Sequence, residues 1–295
     1  MLNPSLTETL LSPDGDRLLY FLRDAFYTET RQGVFRIDGS DDLRRAAALA
    51  TDLGLLEPRA AGAARLTALG YELGNVAKEY CNWLDTGRSL PKPVQPEHVA
   101  GRRVLDVGCG FGRFPITFAR HGADVCGVDL QPHYLTLSRV LARREEVRPP
   151  LVALARAEAL PFPDGAFDVV HCRLVLNYTD VSTAIGEMRR VLVPGGRLFL
   201  MMITLGPFLR ELFQLSWWSN RKAVVWRLFA IANTLCLQTT GRQVRLSARG
   251  RMHRSHSPTY PTQAWMRRHL RRAGFAIEWD AVGMFQAVRT GPAPI

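Results

Sequence analysis

Cysteine is sparse in this 295-residue chain, and its five copies are scattered. Cys81, Cys109, Cys126, Cys172 and Cys236 are an odd number with no C-x-x-C and no metal-ligand spacing. That pattern excludes a disulfide framework or a zinc ribbon, and reduced thiols in a cytoplasmic protein are the expectation. The chain does not open with a basic stretch followed by an apolar run, so no secretory leader is expected. Long hydrophobic runs are lacking too. A membrane span needs about 20 apolar residues, and the run Ala223–Leu237 is shorter and interrupted by Arg227. No H-x-x-x-H and no close carboxylate pair is present on the relevant loops, so no metal site is expected. Acidic side chains are nearly missing from residues 204–295, which carry 3 against 14 basic ones. Residues 1–100 carry 14 acidic and 11 basic side chains, so the whole net charge of +11 resides in the last third. A basic face can attract nucleic acid, an anionic surface or an acidic substrate, or it can be a solvated helix face, as Arg267, Arg268, Arg271 and Arg272 allow.

What is there begins at V-L-D-V-G-C-G-F-G-R-F, residues 104–114. An apolar run ends in Asp106, glycines follow at 108, 110 and 112, and a helical pattern starts behind them. A strand ending in such a turn is expected to present free backbone N–H groups and to let a ligand lie almost against the chain. It is not the dinucleotide fingerprint, whose third glycine would fall at Arg113, and no Lys-Ser/Thr follows to make a P-loop. Three alternating glycines can also be no more than a tight turn. A second strand ends at Asp129, 21 positions after Gly108, where an acid can take both hydroxyls of a ribose.

Together with Arg156–Gly165, Phe167–Tyr178 and Glu187–Leu200, these segments occur in the order found in class I S-adenosylmethionine (SAM) dependent methyltransferases, which the chain resembles over about 100 residues. The resemblance implies SAM as cofactor, an enzyme of the EC 2.1.1 type, and an α/β fold with a seven-stranded, mostly parallel, doubly wound Rossmann-like sheet. It also implies that Gly108, Cys109, Gly110 and Gly112 lie along the methionine end of SAM and that Asp106 reaches its amino group. Asp129 would hold the ribose diol and Leu130 pack on the adenine, with Ala157 and Glu158 reading the adenine edge. Arg156 stands where many relatives have an acid facing the adenine amino group, which leaves no such side-chain contact there.

Residues 1–90 read as a mainly helical domain. The order helix, Gly54-Leu55-Leu56, polar turn, Leu66-Thr67-Ala68-Leu69-Gly70 resembles a winged-helix module. Its negative charge argues against DNA, because phosphate contacts need a cationic face, and a dimerisation or lid role is expected instead. The proline-rich Ser89–Pro96 is a stiff connector. In the core, 91–204, apolar strands alternate with helices as in βαβ units. Strands are predicted at Arg103–Val107, Asp124–Val128, Leu151–Ala155, Phe167–Cys172 and Arg197–Ile203. Residues 205–262 are an insertion rich in apolar and aromatic residues. The expectation is a two-helix cap lining an apolar acceptor pocket; the alternatives are an interfacial helix pair touching a membrane surface through 207–237, and a plain core insertion. Residues 263–295 complete the core with a helix and the strands Phe275–Val282 and Met284–Arg289.

A sulfonium methyl is already electrophilic, so catalysis is mostly positioning of a nucleophile and, when needed, removal of its proton. Candidates for the latter are His171, Tyr178 and His256, with His253 nearby in sequence. Asn177, Tyr178, Trp217 and Tyr260 are the candidate acceptor contacts, while His121 and His133 are bystanders. The Asn/Asp-Pro-Pro-Tyr/Phe motif of nucleic-acid amino-methylating enzymes is absent. The expected acceptor is therefore a small, largely apolar or aromatic molecule of the quinone or secondary-metabolite type, methylated on O, N or C by a monomer or homodimer that binds no DNA. The alternatives are an RNA methyltransferase using the basic last third, and a SAM-binding regulator without methyl transfer.

Overall fold

The structure, a computed structural model, describes residues 4–212, 221–244 and 258–291. The chain divides into two compact units, one of Met1–Ser89, Phe111–Arg113 and Thr136–Pro149, the other of Leu90–Gly110, Phe114–Leu135 and Pro150–Ile295.

In the first unit the order is α1 (Pro4–Leu11), α2 (Asp14–Gln32), β1 (Phe35–Arg36), α3 (Asp41–Asp52), β2 (Leu56–Pro58), β3 (Ala63–Leu66) and α4 (Ala68–Asp85). Ser40 caps α3 by accepting from the N–H of Leu43, and Thr67 caps α4 by accepting from that of Gly70. Gly70 has no room for a side chain, since a Cβ would stand 2.0 Å from the Leu55 carbonyl oxygen. The three short strands pair antiparallel in the order β1-β3-β2. Strands of two to four residues are too short to register as periodic alternation.

A buried carboxylate anchors Thr136–Pro149 in this unit. Glu145 is 7% exposed; it accepts 2.5 Å hydrogen bonds from the Tyr80 hydroxyl and from Nε of Arg88. Burial, reinforced by Glu145, holds the Tyr80 phenol well above its ordinary value. Tyr80→Phe is expected to cost about 2 kcal/mol, the range for a hydrogen bond to a charged group, and urea unfolding reads it.

The second unit is built on seven strands: β4 (Arg103–Val107), β5 (Asp124–Asp129), β6 (Leu151–Leu154), β7 (Phe167–Arg173), β8 (Leu192–Met201), β9 (Phe275–Ala281) and β10 (Met284–Arg289). Their order is β6-β5-β4-β7-β8-β10-β9. The first five are mutually parallel and β10 runs antiparallel to β8 and β9. This is the expected Rossmann-like α/β sheet. The order reverses between β4 and β7, which makes their carboxyl ends the switch point where ligands of such sheets bind.

The remaining helices of the chain are α5 (Pro96–Val99), α6 (Arg113–Arg120), α7 (Pro132–Arg144), α8 (Val181–Val191), α9 (Leu205–Leu212), α10 (Arg221–Thr240) and α11 (Gln263–Arg272). Val170, Leu198, Ile185 and Phe285 are 0% exposed and belong to one apolar core of this unit. Phe208 and Tyr260 stack with centroids 3.8 Å apart in a smaller cluster beside Ala230. Helix α10 keeps Val225, Leu228 and Leu235 exposed. Among the described residues no helix is long and apolar enough to cross a membrane.

Candidate functional site

At the carboxyl ends of β4, β5 and β7 lies a cavity of about 330 Å³, within the range of small-molecule sites. Val107 and Gly108 come from the end of β4, Asp129 and Leu130 from that of β5, Ala155 to Glu158 from the loop after β6, and Tyr178 from the single 3₁₀ turn after β7.

The glycine turn is shaped for clearance. Gly108, Gly110 and Gly112 have φ of +73°, +53° and +91°, conformations that disfavour any side chain. A Cβ on Gly108 would lie 2.0 Å from Cγ2 of Val175, itself a cavity residue. The expected free N–H groups are otherwise engaged. Those of Gly108 and Cys109 donate to the Val128 carbonyl at 2.8 and 3.0 Å, and that of Gly110 donates to Oδ2 of Asp129 at 2.9 Å. Closing the turn on β5 satisfies these donors inside the protein, so here the glycines bring the backbone close without supplying those three contacts. Cys109 is buried, and burial, with Asp106 and Asp129 nearby, pushes its thiol up, which makes it a packing residue.

Asp129 joins turn to helix. Its Oδ2 accepts from Gly110 and its Oδ1 from the N–H of Gln131, at 2.9 Å each. A carboxylate has about four acceptor positions, so two remain for a ligand. Burial raises its pKa, against the lowering effect of the backbone N–H groups of Gln131, Gly110 and Leu130.

Asp106 is 2% exposed. Its Oδ1 lies 2.6 Å from Nδ1 of His171, directly opposite in the β4–β7 register, while its buried Oδ2 has no partner. An orphaned anionic oxygen one residue from the cavity-lining Val107 suits the ammonium of an amino acid. Room at Gly108, vacant acceptor positions on Asp129 and this oxygen together fit adenosine joined to an amino acid.

The remaining candidates fall into different places. Leu130, Ala157 and Glu158 line the cavity. Oε1 of Glu158 accepts from the N–H of Asp180 at 3.1 Å and lies 3.4 Å from Arg156, whose half-exposed side chain also reaches the cavity wall. Tyr178 lines the cavity with 44% exposure. His171 does not line it; its ring is buried edge-on against Phe114 and Phe118, which leaves it a partner of Asp106 rather than a group facing an acceptor. Asn177 is 0% exposed. Its Nδ2 donates to the carbonyls of Ile203 and Thr259 and its Oδ1 accepts from the N–H of Ile203, so it ties three chain segments together instead of meeting an acceptor. Tyr260 is stacked on Phe208 rather than on the cavity wall. His256, His253 and Trp217 lie outside the described residues. Among the described residues of 205–262 none lines the cavity.

Gln131 and Tyr134 escaped the sequence reading. Gln131 lines the cavity from just before α7 and Tyr134 from its first turn. The first helical turn after an acid-ended strand was the available signal.

The sheet order is that of a Rossmann-like α/β domain, and the switch-point cavity with its nearby acids has the shape and chemistry to hold a nucleoside. Residues 105–200, about a third of the chain, match the methyltransferase domain family. The chain is 40% identical over 107 residues to the demethylmenaquinone methyltransferase of Thermus thermophilus, covering 35% of this chain and 47% of that protein. It is 32% identical over 136 residues to the ubiquinone biosynthesis O-methyltransferase of Acinetobacter baylyi, covering 43% and 50%. It thus spans about half the length of these relatives. A SAM-dependent methyltransferase structure from Methanosarcina mazei aligns with 18% identity and a TM-score of 0.48 over 68% of this chain and 99% of that one.

Proposed function

We propose that this protein transfers the methyl group of SAM to an O, N or C nucleophile of a small, largely apolar or aromatic acceptor, with quinone-type rings as the leading class. The observation that carries the reading is the cavity itself. Acidic groups for a ribose and an ammonium stand near its floor, and Leu174, Val175 and Tyr178 give the β7 side an apolar and aromatic wall. The two relatives bear names of quinone methylation, and the exposed stripe Val225, Leu228 and Leu235 on α10 favours contact with an apolar phase over a closed cap.

When bound, SAM supplies an electrophilic methyl on a sulfonium. The protein has three tasks: to hold the nucleoside through Asp129, to hold the amino-acid end at Asp106, and to orient the acceptor. Tyr178 is the polar side chain best placed for the last task, through its hydroxyl. Cofactor contacts are accordingly assigned to Asp106, Gly108, Gly110, Asp129, Leu130, Ala157 and Glu158. The three-stranded sheet of the first unit supports a winged-helix-like module acting in subunit pairing or covering.

Incubation with methyl-labelled SAM and separate lipid and RNA extracts tests the function. Label entering the organic phase supports it, and label confined to RNA overturns it. Tyr178→Phe is expected to lower kcat about tenfold, the equivalent of one hydrogen bond, with S-adenosylhomocysteine affinity unchanged by calorimetry.

A further inference from the structure

A second cavity, of about 260 Å³, opens where the first turn of α8, the last turn of α10 and one face of α11 meet. Ser182, Gln238, Trp265, Arg268, His269 and Arg272 line it, and it shares no residue with the cofactor cavity. Every charged or titratable group on its wall is basic.

The arginines of this region are not alike. Arg267 pairs with Asp280 at 2.7 Å, and in the same unit Arg103 pairs with Asp168 and Arg190 with Glu187 and Asp164. Arg268 and Arg272, four residues apart and therefore neighbours on one face of α11, have no such carboxylate among the described residues. The residues that the structure does not describe contain no Asp or Glu in the sequence. Asp180 acts electrostatically on His269, and its Oδ1 caps α8 by accepting from the N–H of Thr183. Two like charges side by side repel unless something between them is negative. His269 lies flat against Trp265, with centroids 4.6 Å apart, which makes the wall beside the arginines rigid. Burial and then Arg272 lower its pKa, so at neutral pH it adds a donor without adding charge.

We propose that this cavity binds a phosphate monoester dianion, gripped by the guanidinium groups of Arg268 and Arg272. Planar guanidinium forks match phosphate oxygens two at a time, and the volume leaves space for a small group on the ester. The Ser182 hydroxyl completes the donor set.

The test is calorimetric titration of the full chain with inorganic phosphate and with phenyl phosphate, in buffers held at one ionic strength with chloride. Saturable binding is expected, with Arg268→Gln and Arg272→Gln each weakening it at least tenfold. Arg267→Gln, which removes the Asp280 pair instead, should leave it within twofold. Without phosphate, Arg268→Gln should melt no lower than the natural protein, because it relieves repulsion; this shows that lost binding is not lost folding. Overturning results are a response that chloride reproduces, unchanged affinity in both arginine variants, or binding of RNA or of vesicles with anionic lipid through these arginines without binding of either phosphate probe. Titration with S-adenosylhomocysteine stands apart. Its failure would count against the methyltransferase reading and not against this site.

Discussion

Replacing Asp129 by alanine is expected to weaken S-adenosylhomocysteine binding by about 3 kcal/mol, roughly a hundredfold, when measured by calorimetry. The carboxylate already holds the N–H groups of Gly110 and Gln131 at 2.9 Å, and two acceptor positions are left for the ribose hydroxyls. Each such bond to a charged group contributes about 1.5–3 kcal/mol, and alanine removes them along with the tie between Gly110 and Gln131. The pH dependence has a definite sign. Burial makes Asp129 hold its proton more tightly in the folded chain than in the unfolded one. The unliganded protein therefore gains stability from the protonated form at low pH and loses that contribution as pH rises from the ordinary carboxylate range through the raised value. The ribose needs the ionised form, so ligand affinity rises across the same interval. Affinity that is flat with pH through this interval, or equal in Asp129→Ala, would show that the ribose is held elsewhere.

How much of this was legible follows from which contacts are local. β4 and β5 could be read because each is an apolar run closed by an acid and a turn, and their ends fall within one residue of expectation. Asp129 could be placed by its distance from Gly108. The destination of the turn's N–H groups could not, because they bond across to Val128 and Asp129, about 20 residues on. Asn177 looked like an acceptor contact because polar residues in that loop commonly are. Its actual partners, Ile203 and Thr259, are 26 and 82 residues away. Glu145 gave no signal at all, since Tyr80 and Arg88 reach it over separations of 65 and 57. The insertion is a different case. α10 carries apolar residues all round, so its sequence has no polar face to say which side meets the protein, and Val225, Leu228 and Leu235 turn out exposed.

The largest loss of folding stability among the site residues is expected at His171, where alanine should cost about 3–5 kcal/mol in urea unfolding, the range for truncating a large buried ring. The side chain is buried between β4 and the rings of Phe114 and Phe118. Removing it leaves Asp106, whose Oδ2 has no partner already, without its bond at Oδ1 as well. The comparison that separates pairing from packing is a double-mutant cycle. Asp106→Asn alone removes the charge; His171→Ala alone strands it; the double variant strands nothing. If the pair is the source of the cost, the double variant should be at least 1.5 kcal/mol more stable than the sum of the single effects implies. Strict additivity would reduce His171 to a core ring that happens to face an acid. The same cycle read by calorimetry carries the argument to function. Asp106 is proposed to hold the amino-acid end of the cofactor, so Asp106→Asn should weaken S-adenosylhomocysteine while sparing 5′-methylthioadenosine, which lacks that end. His171→Ala, acting through Asp106, should shift the two ligands in the same unequal way.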